Sequence, residues 1–183
     1  ALRTYLGLPT GLETGTFMAL DFGGTNVRAS RITLSGADGF TIETKVSKPL
    51  RGDDYDYTTS STTAEALFDF IANIVKEAAG GNEAYKLGFT FSFAVDQTSA
   101  KDASLIAWSK EIDVPGVAGK SINGLLKEAL VRNGMDRIEP VALLNDTTAT
   151  LLSSVYQRNP AQIGIVCGTG FNMCYYEPAL KMI

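Results

Sequence analysis

Leu20-Asp21-Phe22-Gly23-Gly24-Thr25-Asn26-Val27 is the stretch whose reading decides the fold. The apolar run Thr16 to Asp21 enters it, and a second run, Val27 to Leu34, leaves it. In the second run Val27, Ala29 and Arg31 alternate onto one face, which predicts a strand. Two strands joined through a Gly-Gly turn form a β-hairpin. A third alternating run, Phe40 to Val46, follows the turn sequence Ser-Gly-Ala-Asp-Gly at 35–39. The chain therefore opens as a three-stranded antiparallel meander, behind an irregular Gly/Pro/Thr-rich lead-in at residues 1–14.

Past a polar loop at 47–60, the periodicity changes to helix–strand alternation. Thr62 and Glu65 stand at capping-box spacing. Leu67, Phe68, Ile71, Ile74, Val75 and Ala78 then recur at helical intervals before Gly80-Gly81. Tyr85 to Phe91 predicts a strand, and residues 92–118, Trp108 included, read mostly as loop. A second helix is expected over Ile122 to Asn133, with Leu125, Leu126, Ala129 and Leu130 inward and Gly134 past its end. Ile138 to Leu144 predicts a strand, and Asn145-Asp146 precedes a third helix carrying Ala149, Leu152, Val155 and Tyr156. Ile163 to Cys167 and Phe171 to Tyr176 predict a last hairpin around Gly-Thr-Gly. The order βββ-α-β-α-β-α-ββ implies an α/β protein, a mixed sheet with helices on its faces. It resembles the ribonuclease-H-like fold of the actin, chaperone ATPase and sugar kinase superfamily. An internal echo supports this. Residues 166–173, V-C-G-T-G-F-N-M, repeat the plan of 20–27: strand, glycine turn, Asn, strand.

Composition narrows the chemistry. The 183 residues are 45% hydrophobic and 20% charged, enough for a buried core under a polar surface. A net charge of −4 gives no electrostatic case for nucleic acid or for a basic membrane anchor. The sequence contains no histidine, which removes Ser-His-Asp and Cys-His catalysis and histidine metal sites. Two cysteines, Cys167 and Cys174, are too few for a four-ligand zinc site and read as reduced, packed thiols. No apolar run reaches the roughly 18 residues of a membrane span, no signal peptide is visible, and the expected location is cytoplasmic.

Five segments carry the remaining chemistry. Asp21 to Arg28 can wrap an anion with backbone N–H groups freed by Gly23 and Gly24, with Thr25 and Asn26 adding donors. Asp21 is placed to hold a Mg²⁺-bound water, and Arg28 either neutralises phosphate or pairs with an acid. No helix and no G-K-S/T follow, so this is not a P-loop. Leu143 to Thr150 puts Asn145 and Asp146 at the carboxyl end of a strand, where ligands bind in α/β folds, and where an aspartate can accept the proton of an attacking hydroxyl. A helix N-cap is the ordinary alternative there. Phe89 to Thr98 offers Ser92 and Gln97 among packing phenylalanines. Ser109 and Lys110 end an apolar stretch, and Gly168 to Asn172 forms a second glycine turn with the Thr169 hydroxyl.

The ordered set D-F-G-G-T-N-V-R, L-G-F-T-F-S-F, W-S-K, L-N-D-T and G-T-G-F-N-M-C-Y resembles the hexokinase family, the ATP-dependent hexokinases and glucokinases of the eukaryotic type, over about residues 15–177. The resemblance implies phosphorylation of a glucose-like hexose at its 6-hydroxyl with MgATP, a cytoplasmic step of glycolysis. It implies Asp146 as base, and Ser92, Phe93, Ser109, Lys110, Asn145 and Asn172 at the sugar. Asp21, Gly23, Gly24, Thr25, Asn26, Arg28, Thr169 and Gly170 fall at the ATP phosphates, with no direct metal ligand and Asp21 reaching Mg²⁺ through water. A non-catalytic sugar-binding or regulatory relative, and an ATPase of the same fold that handles no sugar, are the competing readings.

Three departures stand out: Ala94 where the family has Pro, Phe171 where it has Ser, and Ser109 where it has Thr. The resemblance divides the chain into the lead-in at 1–14, a ribonuclease-H-like small domain at 15–160, and the first hairpin of a large domain at 161–183. The family's large domain supplies further acidic groups to the sugar and the adenine pocket. Residues 1–183 carry neither, so the chain alone is expected to be inactive.

Overall fold

The computed structural model describes residues 3–168 and 170–177. Its centre is a five-stranded mixed sheet built by β1 (Thr14–Phe22), β2 (Asn26–Ser35), β3 (Phe40–Pro49), β4 (Tyr85–Phe91) and, after two further short strands, β7 (Ile138–Leu144). The strand order is β3-β2-β1-β4-β7. The meander β1-β2-β3 is antiparallel, and β1, β4 and β7 run parallel. This confirms the mixed sheet. The pleat explains the buried face: Met18, Leu20 and Phe22 of β1 alternate inward, as do Leu87, Phe89 and Phe91 of β4.

Helices α1 (Ala64–Ala79) and α2 (Ile122–Arg132) close over that face and over each other, and their Leu67, Phe68, Ile71, Leu126 and Leu130 join one core with the strands. Leu125 is half-buried, whereas Ile122 and Asn123 are buried. The N-cap of α1 is Thr63, whose hydroxyl accepts from the Ala66 amide at 3.1 Å, one residue beyond the expected Thr62. Thr62 instead donates to the Asp56 carbonyl at 3.0 Å, a tertiary partner that spacing does not reveal. Gly80 ends the helix at φ 70°, a conformation that favours glycine.

Residues 92–118 are mostly loop, as expected, but not wholly. They hold an antiparallel hairpin of β5 (Ala94–Gln97) and β6 (Ala103–Ala107), with Ala103 and Leu105 buried. Likewise β3 runs on to Pro49, into the expected 47–60 loop, and Leu50 is buried directly after it. Helix α3 (Asp146–Tyr156) stands apart from the main core, against a two-stranded sheet of β8 (Ile163–Cys167) and β9 (Phe171–Tyr175). Its buried residues are Thr147, Thr148 and Leu151; the expected Ala149, Leu152, Val155 and Tyr156 are only half-buried. From residue 3 to Glu13 the lead-in is irregular, and the Tyr156 hydroxyl donates to the Glu13 carbonyl at 3.3 Å. No described helix is long and apolar enough to cross a membrane.

Candidate active site

Because β1, β4 and β7 are adjacent and parallel, their carboxyl ends fall on one edge. Phe22 lies beside Phe91, and Thr90 beside Leu144. The residues that follow those ends are Gly23-Gly24, Ser92 and Asn145-Asp146. Topology alone thus gathers three distant segments where open α/β sheets bind ligands.

The β8–β9 hairpin supplies the opposite wall. Its turn residues Gly168 and Gly170, with Val166, Phe171 and Asn172, face Gly24, Ser92, Lys110, Asn145 and Asp146 across a cleft of about 190 Å³. The two turns of the sequence echo therefore meet across one cavity. Each closes on a backbone bond: Gly23 N–H to the Asn26 carbonyl at 3.1 Å, and Gly168 N–H to the Gly170 carbonyl at 2.9 Å. Gly164 lets β8 lie tightly on α3, since a Cβ there would sit 2.5 Å from the Thr147 carbonyl oxygen.

Asn145 is the cleft's connector. Its Oδ1 caps α3 by accepting from the Thr147 amide at 3.2 Å and the Thr147 hydroxyl at 2.9 Å, and accepts from Asn172 Nδ2 at 2.9 Å. Asn145 is thus the helix cap and also lines the cleft. Asp146 opens the helix, half-buried, with Oδ1 accepting from the Thr147 amide at 2.8 Å. Its Oδ2 takes no hydrogen bond from the described residues, so it is free to face a bound hydroxyl. Lys110 reaches in from the loop after β6, donating to the Ser92 carbonyl at 2.8 Å with its ammonium 5.2 Å from the Phe93 ring centre. Gly24 is glycine because Lys110 is there: a Cβ would approach Lys110 Cδ at 2.5 Å and Cβ at 2.8 Å.

The other expected residues among those described sit outside the cleft lining. The Phe93 ring is only 5% exposed and belongs to an aromatic cluster with Phe22, Phe91 and Trp108. It reaches the cleft only as the floor beneath Lys110. Ser109 is exposed. Asp21 and Arg28 are cross-strand partners, joined in an ion pair at 2.9 Å, so Arg28 pairs with an acid. Thr25 is exposed at the turn, and Asn26 begins β2. Thr169 lies outside the described residues. Gln97 is a strut: its amide donates to the Leu143 carbonyl at 2.8 Å, fixing the end of β7. Cys167 is exposed and not packed as expected, because it falls on the outer face of β8; Cys174 is partly covered, donating to the Thr147 carbonyl at 3.1 Å. Thr147 and Val166 were not singled out as site residues by sequence reasoning, whereas Gly168 was marked as the start of the second glycine turn. Thr147 had a signal, two residues past an Asn cap, but Val166 became a cleft residue only by the folding back of β8–β9.

The carboxyls held below their ordinary range lie away from the cleft. Thr33 first and then Arg31 hydrogen-bond and lower Glu43. Among the described residues no three His, Cys, Asp or Glu side chains cluster to hold a metal ion.

A mixed 3-2-1-4-7 sheet whose edge meets a second glycine hairpin across a cleft defines the ribonuclease-H-like fold of the actin and sugar kinase superfamily. A ROK-family glucokinase from Streptomyces griseus, solved with glucose and AMPPNP, shares that fold at TM-score 0.57 and 22% identity over 87% of this chain and 43% of its own. The sequence model of the hexokinase family matches residues 1–156, and the chain belongs to that family. Hexokinase-1 of Schizosaccharomyces pombe is 40% identical over 178 residues, which are 94% of this chain and 35% of that protein. The Schistosoma mansoni hexokinase structure, complexed with glucose, superimposes at TM-score 0.79 and 33% identity, over 92% of this chain and 37% of its own. The chain thus spans about a third of the length of the relatives it matches.

Proposed function

We propose that the intact protein transfers the γ-phosphoryl group of ATP to the 6-hydroxyl of a glucose-like hexose. What carries this reading is the convergence of Asp146, Asn145, Asn172, Ser92 and Lys110 on one cleft, between two glycine turns. Asparagine amides and an ammonium match a polyhydroxylated ligand, whose hydroxyls both donate and accept. The backbone amides of the two turns suit the phosphates, with Asp21, Gly23, Thr25, Asn26 and Arg28 on the first and Thr169 and Gly170 on the second.

Asp146 Oδ2 accepts the proton of the attacking hydroxyl while the Thr147 amide holds Oδ1 in place. A weak base suffices, because phosphoryl transfer depends on alignment and charge stabilisation more than on deprotonation. Asn145 orients the sugar with an amide already fixed by α3, and Lys110 brings positive charge. Magnesium, when bound with ATP, would neutralise developing phosphate charge. Mg²⁺ needs only one or two protein carboxylates beside water and phosphate oxygens. Asp21, at the end of β1 next to the glycine turn and paired with Arg28 at 2.9 Å, would hold that ion through a water.

We also read residues 161–183 as the opening of the second domain and 15–160 as the small domain. Supporting this, β8–β9 forms its own sheet, separate from the five strands. The free thiols fit a reducing compartment, and we place the protein in the cytoplasm.

The test is a coupled assay of ADP release with glucose on the intact protein and on Asp146→Asn. Loss of a general base lowers kcat by about 10²- to 10⁴-fold with a small change in KM for glucose. A variant as active as its parent refutes the role of Asp146. Glucose binding without turnover in the parent itself would instead favour the non-catalytic sugar-binding reading.

A further inference from the structure

Lys110 and Glu111 are consecutive non-glycine residues in the left-handed region, at φ 60° and 64°. Such residues pack Cβ against the backbone, and the conformation persists only where surrounding contacts over-determine it. The contacts come from two sides. Within the loop, Ile112 N–H donates to the Ser109 carbonyl at 3.3 Å and Trp108 Nε1 to the Val114 carbonyl at 2.7 Å. From outside, the Asp113 amide donates to the carbonyl of Thr58 at 2.7 Å, tying the loop to the segment after β3.

Thr58 is itself fixed. It is 3% exposed, and its hydroxyl donates to Asp56 Oδ1 at 2.6 Å while accepting from Arg51 Nε at 2.9 Å. Its amide also donates to Asp56 Oδ1 at 2.9 Å. Those two bonds, the hydroxyl's first, hold the Asp56 carboxyl below the ordinary carboxylate range. Arg51 in turn lies 3.2 Å from Asp56 and 3.7 Å from Glu111, the second left-handed residue. A buried hydroxyl with both its bonds satisfied rigidifies its neighbours, and a half-satisfied one does not.

We infer that Thr58, locked by Asp56 and Arg51, is a positioning residue that holds the strained Lys110–Glu111 turn and so sets the reach of the Lys110 ammonium into the cleft. The kinetic half of this rests on the proposed sugar kinase reading; the structural half does not. With Thr58 bound, Lys110 stays against the Ser92 carbonyl and over the Phe93 ring. With its hydroxyl removed, the Thr58 carbonyl loses its fixed position, the turn relaxes, and the ammonium leaves.

The experiment uses the intact protein and the variants Thr58→Val, Thr58→Ser and Lys110→Met. The first readout is acetylation of Lys110 by an N-hydroxysuccinimide acetate, followed by peptide mass spectrometry, which needs no activity. Thr58→Val is expected to label severalfold faster than the parent, and Thr58→Ser, which keeps the hydroxyl, at the parent rate. The second readout is hexose kinetics. Thr58→Val is expected to raise KM for glucose about fivefold with less change in KM for ATP, and to add nothing when Lys110→Met is already present. Unchanged Lys110 labelling in a folded Thr58→Val overturns the inference. So does a KM effect of equal size in the Lys110→Met background. If the parent turns over no hexose, the kinase reading fails while the labelling result still decides the role of Thr58.

Discussion

At the scale of the residue, Gly24 shows how an atom that is absent makes the site. Neither Gly23 nor Gly24 has a left-handed φ, so the turn does not require glycine for its backbone angles. Space at Gly24 is the constraint, since a methyl there would collide with the Cβ and Cδ of Lys110. Lys110 Cβ is tied to the strained main chain and cannot swing away as a side-chain tip would. Gly24→Ala is therefore expected to displace Lys110. Misplacement of about 1 Å costs on the order of 10²-fold, and a loss of that size in kcat/KM for glucose, with the melting temperature little changed, is the expected measurement. Loss of folding with intact specific activity in the surviving fraction would contradict it. The cleft residues legible in the sequence were Ser92, Asn145 and Asp146 after strand ends, Lys110 in its loop and, across the cleft, Asn172. The left-handed backbone of Lys110 and Glu111 was not legible, because no local rule predicts it for these types; it is imposed by Thr58, more than fifty positions earlier. Phe93 was legible as a motif residue, but its burial depends on Trp108 and Phe22 closing around it.

At the scale of the element, the long strands and helices announced themselves, while the short hairpin of β5 and β6 did not. The five-residue strands β8 and β9 were marked by the Gly-Thr-Gly turn between them, whereas Thr98 to Asp102 carries no glycine, and the β5–β6 pair is held by contacts elsewhere. Ala100 accepts from the Leu143 amide at 2.9 Å, and the side chain of Gln97 grips the same residue's carbonyl. Ala94, where the resemblance expects Pro, starts β5 and pairs with Ala107. The lead-in is another element ordered without regular structure. Glu13 accepts from the Thr10 amide at 2.7 Å, the Thr10 hydroxyl at 2.9 Å and the Gly11 amide at 3.0 Å. These bonds, the Thr10 amide's foremost, lower its pKa from 4.5 to about 2. A carboxyl whose folded value is depressed contributes order above its unfolded pKa and loses it as the pH falls through the folded value. The Thr10–Glu13 turn is thus expected to be intact at pH 5 and to open between about pH 4.5 and pH 2. Amide chemical shifts of Thr10 and Gly11 followed by NMR would check it, and a midpoint near the ordinary carboxylate value would contradict it.

At the scale of the whole molecule, the β8–β9 hairpin has two unlike faces. Gly164, Val166, Asn172 and Cys174 turn to α3 and the cleft. Ile163 stands opposite Tyr175, Ile165 opposite Met173 and Cys167 opposite Phe171, so these six share the other face. That face is open, with Phe171 69% exposed. A two-stranded hairpin is marginal alone in water, and an apolar face of this kind calls for cover. Phe171, where the resemblance expects Ser, adds to that face and is also among the residues lining the cleft. The cleft's size says the same from inside. At about 190 Å³ it is smaller than the roughly 300–1,000 Å³ of complete ligand pockets. A hexose and a nucleotide held in line for transfer need walls on both sides, and alignment is where most of the rate comes from. Residues 1–183 expressed alone are therefore expected to release ADP with glucose at no more than about 10⁻³ of the rate of the intact protein, given effective molarities of 10⁵ M or more for aligned reactants. The same fragment should bind a hydrophobic dye such as ANS through the open hairpin face, and lose that binding when Phe171 and Ile165 are both changed to Thr. Turnover by the fragment near the intact rate would mean that the small-domain cleft and one hairpin suffice for alignment. The apolar face would then be a surface of the working enzyme and not the seam to its second half.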